Sequence, residues 1–229
     1  MYKIESEFVD AALSTYTTPA DDDGGRTGKR EWSWDYCFNY FGATDDPTAE
    51  MELSCLQLGY YLASWGMLRG SSWLFKNAHS RHYVQTIEAI ARHTPLVAHI
   101  DLGDYSDAES RNRMVAAYND IRTALIPARH QHATVVTKVM LGVWGNTPAF
   151  DTYLKKGLRR IVPPADQRSL NSFTDRSLQT LGRIYTENQE LIDRIAATRE
   201  TVAFSPEGPA SRPYTRARVL DIAGFALGQ

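Results

Sequence analysis

The run at 47–68, PTAEMELSCLQLGYYLASWGML, constrains this chain more than any other, because after Glu52 it is apolar nearly all round. A helix without a polar stripe belongs in an interior, so the segment predicts the central rod of a helical domain. Asp46-Pro47 opens it, with aspartate as N-cap and proline in the first turn. Gly59, Ala63 and Gly66 lie close to one face, where a neighbouring backbone can approach, and Arg69-Gly70-Ser71-Ser72 ends it.

Helical periodicity continues on both sides of this rod. It predicts helices over 4–14, 32–43, 79–93, 106–126, 132–144, 148–161, 173–202 and 214–227, with another starting at Ser71 or Ser72. Breaks fall at Pro95, Gly103, Pro127, Gly145 to Pro148, Pro163-Pro164 and Ser205 to Pro213. Only LVAHIDL at 96–102 carries a strand signal, and it also fits a helix. The expected fold class is all-α, a single globular multi-helix domain over 32–229. Residues 1–31 are expected to add a short helix and a flexible polar linker, TTPADDDGGRTGKRE.

The chain has 229 residues, enough for one substantial core. Its net charge of -2 excludes a global basic field, so any nucleic acid must be met by a local patch. Cys37 and Cys55, the only cysteines, form no CxxC motif and fit a reducing compartment. The acidic start MYKIESEFVDAAL does not read as a signal peptide, and no apolar run reaches the length of a membrane span. A cytoplasmic protein with no membrane partner is expected.

Residues 137–160, TKVMLGVWGNTPAFDTYLKKGLRR, carry the clearest chemistry. Val135, Val136, Val139, Met140 and Val143 form an apolar stripe, and Lys138 points away from its centre, to a margin or a cleft. Gly145-Asn146 is a strong helix stop. Thr147 then reads as an N-cap and Pro148 as the first position of the next helix. Asp151 would fall in that helix's first turn, where the dipole keeps a carboxylate ionised. A lysine and an aspartate brought together by a helix–turn–helix suit chemistry on a nucleic-acid sugar.

The string resembles the lysine-to-aspartate stretch of the helix-hairpin-helix DNA glycosylase superfamily. Thr137-Lys138-Val139-Met140-Leu141 is similar to its lysine helix, and Ala149-Phe150-Asp151-Thr152-Tyr153-Leu154-Lys155-Lys156 to the aspartate motif that follows. The resemblance implies a helix-hairpin-helix glycosylase-like fold and a DNA N-glycosylase, with AP-lyase activity as an extension. In that reading Lys138 attacks the sugar C1′ as an amine, and Asp151 stabilises positive charge as a modified or damaged base departs. The superfamily's glycine-rich hairpin is not visible in PARHQHATVV, and the spacing of Lys138 and Asp151 is short for the superfamily. The alternative is a non-catalytic helical module that binds nucleic acid or a protein.

Lys155, Lys156, Arg159 and Arg160 form a basic strip suited to phosphates. Asn146 and the backbone N–H groups of 142–147 add a candidate anion contact beside it. In the string 65–73, Arg69, Ser71 and Ser72 are candidates to grip a phosphate. Trp65 and Trp73 are candidates to stack on a base or fill the gap left by a flipped nucleotide. The alternative for both tryptophans is helix–helix packing in the core, and for the strip a solvated face. The six histidines, among them His79/His82 and His130/His132, have no HExxH pattern and no neighbouring cysteine, so no metal is expected. No GxSxG, GxxxxGK[ST] or GxGxxG occurs, and no cofactor is expected.

Overall fold

The computed structural model describes residues 2–5, 7, 9, 12, 32–127, 129–130 and 132–229. The remainder of the expected 4–14 helix and the linker at 17–31 lie outside the described residues. The described part is all-helical, without a strand; an isolated antiparallel bridge joins Glu200 and Pro213. In order the helices are α1 (Trp32–Ala43), α2 (Met51–Ser64), α3 (Trp73–Asn77), α4 (Val84–Val97), α5 (Ala108–Leu125) and α6 (Ala133–Val143). They are followed by α7 (Thr152–Ile161), α8 (Pro164–Gln167), α9 (Asp175–Glu187), α10 (Gln189–Thr198) and α11 (Arg216–Gly228). No helix among the described residues is long and apolar enough to cross a membrane.

One hydrophobic core runs through all of this, from Ile4 and Val9 to Ile222 and Ala223. The N-terminal end is tied in by Tyr2 Oη donating to Asp166 (2.6 Å) and by Ile4 N donating to Asn188 Oδ1 (2.8 Å). The buried rod is α6 rather than the 47–68 helix, since every residue from Val135 to Val143 is buried. Helix α2 is shorter than expected and half out of the core. Ser54, Cys55, Leu58, Tyr61 and Leu62 face inward, whereas Leu53, Leu56 and Tyr60 are exposed, Tyr60 at 70%. Apolar composition on all sides marks a helix that is able to be buried, not one whose neighbours suffice to cover it.

Other expectations shift for local reasons. The 173–202 helix is two helices broken at Asn188, whose side chain is drawn to the Ile184 and Tyr2 carbonyls. Pro95 does not end a helix but lies inside the last turns of α4, and 96–102 is helix end and turn. Gly59 admits the Tyr83 ring rather than a backbone, and Gly66 takes a left-handed φ of 74° where α2 ends. A true backbone approach lies elsewhere. A Cβ on Gly157 of α7 would collide with the Gly224 carbonyl of α11, so the pair of glycines sets how closely these helices pack.

Candidate functional site

Helix α6 ends at Val143, and Gly145 turns the chain with a φ of 66°. The following residues do not start a helix; 145–150 form a strap buried in the core. Several of its polar groups find partners, as burial demands, while Asn146 Oδ1 has none. Thr215 donates to the Gly145 carbonyl, Tyr105 to the Asn146 carbonyl, and Asn146 Nδ2 to the Val97 carbonyl (3.1 Å). Asp221 accepts from Ala149 N (2.9 Å), Thr137 from Phe150 N (2.8 Å), and Thr134 donates to the Phe150 carbonyl (2.9 Å).

The next helix therefore begins four residues later than the proline suggests. Asp151 is its N-cap, outside the first turn, with Oδ1 accepting from Leu154 N (2.8 Å). Thr147 caps nothing and is fully buried. The second carboxylate oxygen, Oδ2, lies 3.6 Å from Lys138 Nζ, an ion pair longer than a hydrogen bond.

Lys138 is not marginal on its helix: its side chain is 5% exposed, that of Asp151 18%. Trp65, just beyond α2, places its ring centroid 4.7 Å from Nζ. Helix α11 supplies Arg218 and Asp221, paired at 2.9 Å and almost wholly buried. The Arg218 guanidinium lies 4.4 Å from the Trp34 ring and 5.5 Å from the Trp65 ring, so one tryptophan serves both cations. Trp34 is fixed by its own indole N–H, which donates to the Leu141 carbonyl (2.9 Å). From α1, the buried Asp35 also faces Arg218, and its Oδ1 has no hydrogen-bond partner.

Charges in such a place shift one another. Burial pushes the Lys138 pKa down from its usual 10.5, against the pull of Asp221 and Asp151, while Arg218 pushes the same way as burial. Burial raises Asp221, opposed by Arg218, Lys138 and the Ala149 N–H. Burial carries Asp35 up to about 7, against Arg218 and a backbone bond from Val202. A buried amine of lowered proton affinity beside a half-shielded carboxylate is equipped for nucleophilic or imine-forming chemistry.

The remaining sequence candidates are placed differently. Asn146 is wholly buried and holds the strap, so it offers no surface to a nucleic acid. Trp144 N and Gly145 N both have internal acceptors, so the expected anion contact beside the basic strip loses those donors. Lys156 Nζ donates to the Gln229 carbonyl (3.3 Å) and Arg160 to that of Leu227, so these two cations cap the C-terminal end of α11. Arg159 donates to Asn171, and Lys155 shares the same helix. Ser72 is the N-cap of α3, accepting from Phe75 N (3.1 Å). Arg69 is exposed and bonded to the Gly66 carbonyl (2.8 Å), with Ser71 exposed beside it. Trp73 packs against the His82 and His130 rings at 5.3 and 6.1 Å, away from the contacts that Trp65 makes.

Among the described residues no group of His, Cys, Asp and Glu is arranged to hold a metal. His82 bonds the Leu125 carbonyl, His93 bonds Asp120, and His132 bonds Tyr118. Cys37 and Cys55 are buried free thiols. Sequence reasoning missed Arg218, Asp221 and Asp35. The signal for the first two was present: they are the only charges in ARVLDIAGFALG, three residues apart in the apolar stretch that follows Arg216. Compared with family models, curated proteins and solved structures, the chain matches none.

Proposed function

We propose that this chain is a DNA glycosylase-like enzyme acting on a modified or damaged base, with Lys138 as nucleophile and Asp151 as its electrostatic partner. The observation that carries the reading is the 3.6 Å pairing of a buried lysine with a half-shielded aspartate across a fixed strap. The neutral amine attacks C1′, and the bond from C1′ to the base breaks with its electron pair leaving on the base. The departing base takes up a proton, and Nζ gives up its own through Asp151. Cleavage of the C1′–O4′ bond then gives an imine, which water hydrolyses to free the lysine. The Asp151 carboxylate offsets the positive charge that builds on the sugar. Trp65, over Nζ, offers a ring face to the sugar or to a base turned out of the duplex.

Sodium borohydride reduces such an imine to a stable amine. Incubated with duplex DNA containing an abasic site, the wild-type protein should give a covalent adduct, and Lys138→Met should give none. A folded wild-type protein that forms no adduct on abasic or damaged-base substrates overturns the reading. The low exposure of Lys138 favours a second reading, a non-catalytic helical module in which the Lys138–Asp151 pair only joins α6 to α7. Salt-sensitive DNA binding without any adduct selects it.

A further inference from the structure

Three charged side chains face Lys138, and a fourth stands behind Arg218. Asp151 comes from the strap before α7, Asp221 and Arg218 from α11, and Asp35 from α1, where it faces Arg218. Tyr61 of α2 faces Asp221, Arg218 and Asp151, and burial keeps its hydroxyl protonated. Asp221 has a special place among these. Its Oδ1 receives the Ala149 N–H, two residues before Asp151, and its Oδ2 receives Arg218. Arg218 in turn lies against Trp65, the ring that covers Lys138 Nζ.

We propose that Asp221 is a positioning residue for Lys138: it anchors the strap that presents Asp151 and, through Arg218 and Trp65, holds the amine between ring and carboxylates. This rests on the nucleophile reading above. A buried ion pair contributes little net stability compared with apolar side chains of the same size, so packing alone gives weak reason for one here. The hydrogen bond and the charge of Asp221 do separate jobs. The bond fixes where Asp151 sits, and the charge favours the protonated amine, opposing the burial and Arg218 that disfavour it.

Substitutions separate these jobs. Asp221→Asn keeps an acceptor for Ala149 N but removes the charge; Asp221→Ala removes both. In full-length protein labelled with 15N-lysine, the Lys138 signal is the one lost in Lys138→Met. Its titration midpoint should fall by roughly half a pH unit or more in Asp221→Asn relative to wild type. The Ala149 amide should exchange with solvent at least ~10-fold faster in Asp221→Ala and at an unchanged rate in Asp221→Asn. If Asp221→Asn alone does not fold, Arg218→Met/Asp221→Asn removes both charges. Its midpoint should still fall, because Asp221 outweighs Arg218 at Lys138. An unmoved midpoint in the variant that folds, or an Ala149 amide indifferent to Asp221→Ala, overturns the proposal. With abasic DNA, adduct formation by Asp221→Asn should set in at lower pH than in wild type, and an unshifted profile also overturns it. Absence of any wild-type adduct sinks the nucleophile reading alone, while the lysine titration and amide exchange still decide the role of Asp221.

Discussion

Asp151 divides its carboxylate between two partners: Oδ1 caps α7 through Leu154 N, and Oδ2 faces Lys138 Nζ at 3.6 Å. One residue thus fixes where a helix begins and where a buried amine finds its counter-charge. Asparagine caps a helix as well as aspartate does but carries no charge, which makes the two jobs separable.

Asp151→Asn should therefore leave thermal stability within a few degrees of wild type, while Asp151→Ala loses the cap at a cost of about 1–2 kcal/mol. Under the glycosylase reading both variants should release a damaged base at least ~10²-fold more slowly. Thermal melts alongside single-turnover base release measure the two effects. A stable Asp151→Asn with undiminished release would remove Asp151 from the chemistry.

The Gly157–Gly224 approach decides whether α7 and α11, which carry or adjoin Asp151 and Asp221, can sit together at all. A methyl group at 157 meets the Gly224 carbonyl and backbone near Gly228, neither of which has a flexible end to swing aside. Gly157→Ala should cost about 1–3 kcal/mol despite the higher helix propensity of alanine. Urea denaturation measures it, and a stabilised variant would show that the helices separate at little cost.

The helical class and the break after Val143 were legible in the sequence because both rest on local signals, periodicity and a glycine stop. The same break allowed Lys138 and Asp151 to meet, but the strap that brings them to 3.6 Å was not legible. The start of α7 was not legible. Thr147-Pro148 has good capping chemistry, but the Ala149 and Phe150 N–H groups that Thr147 would cap are claimed by Asp221 and Thr137, which lie far away or on the preceding helix. The burial of α6 in place of α2 is likewise a matter of which neighbours arrive, not of either helix's composition. Arg218 and Asp221 were visible as charges in an apolar helix, yet only the fold sets them against Lys138.

Lys156 and Arg160 read as a phosphate strip in the sequence and as caps of α11 in the fold. Lys156→Ala/Arg160→Ala should lower the melting temperature by about 2 °C, since the α11 carbonyls lose their cations. Lys155→Ala, whose residue caps no helix end, should leave melting unchanged. If the strip also meets DNA, Lys155→Ala should reduce the slope of log affinity against log salt by roughly one. A double variant that melts as wild type does would return Lys156 and Arg160 to the surface role that the sequence suggested.

Asp35 makes the fold sensitive to pH in a direction opposite to an ordinary surface carboxylate. Its pKa rises from 3.8 to about 7 on folding, chiefly through burial, so the native state binds the extra proton between those values. Stability must then fall as pH rises from about 4 to about 7, because ionising Asp35 in place disfavours the native state. At about 1.4 kcal/mol per pH unit the contribution is on the order of 4 kcal/mol at most, with Arg218 holding it from being larger. Asp35→Asn cannot ionise, so its urea midpoint should change less between pH 5 and pH 8 than that of wild type, and exceed it at pH 8. Parallel midpoints for the two proteins across that range would show that Asp35 stays charged beside Arg218 throughout.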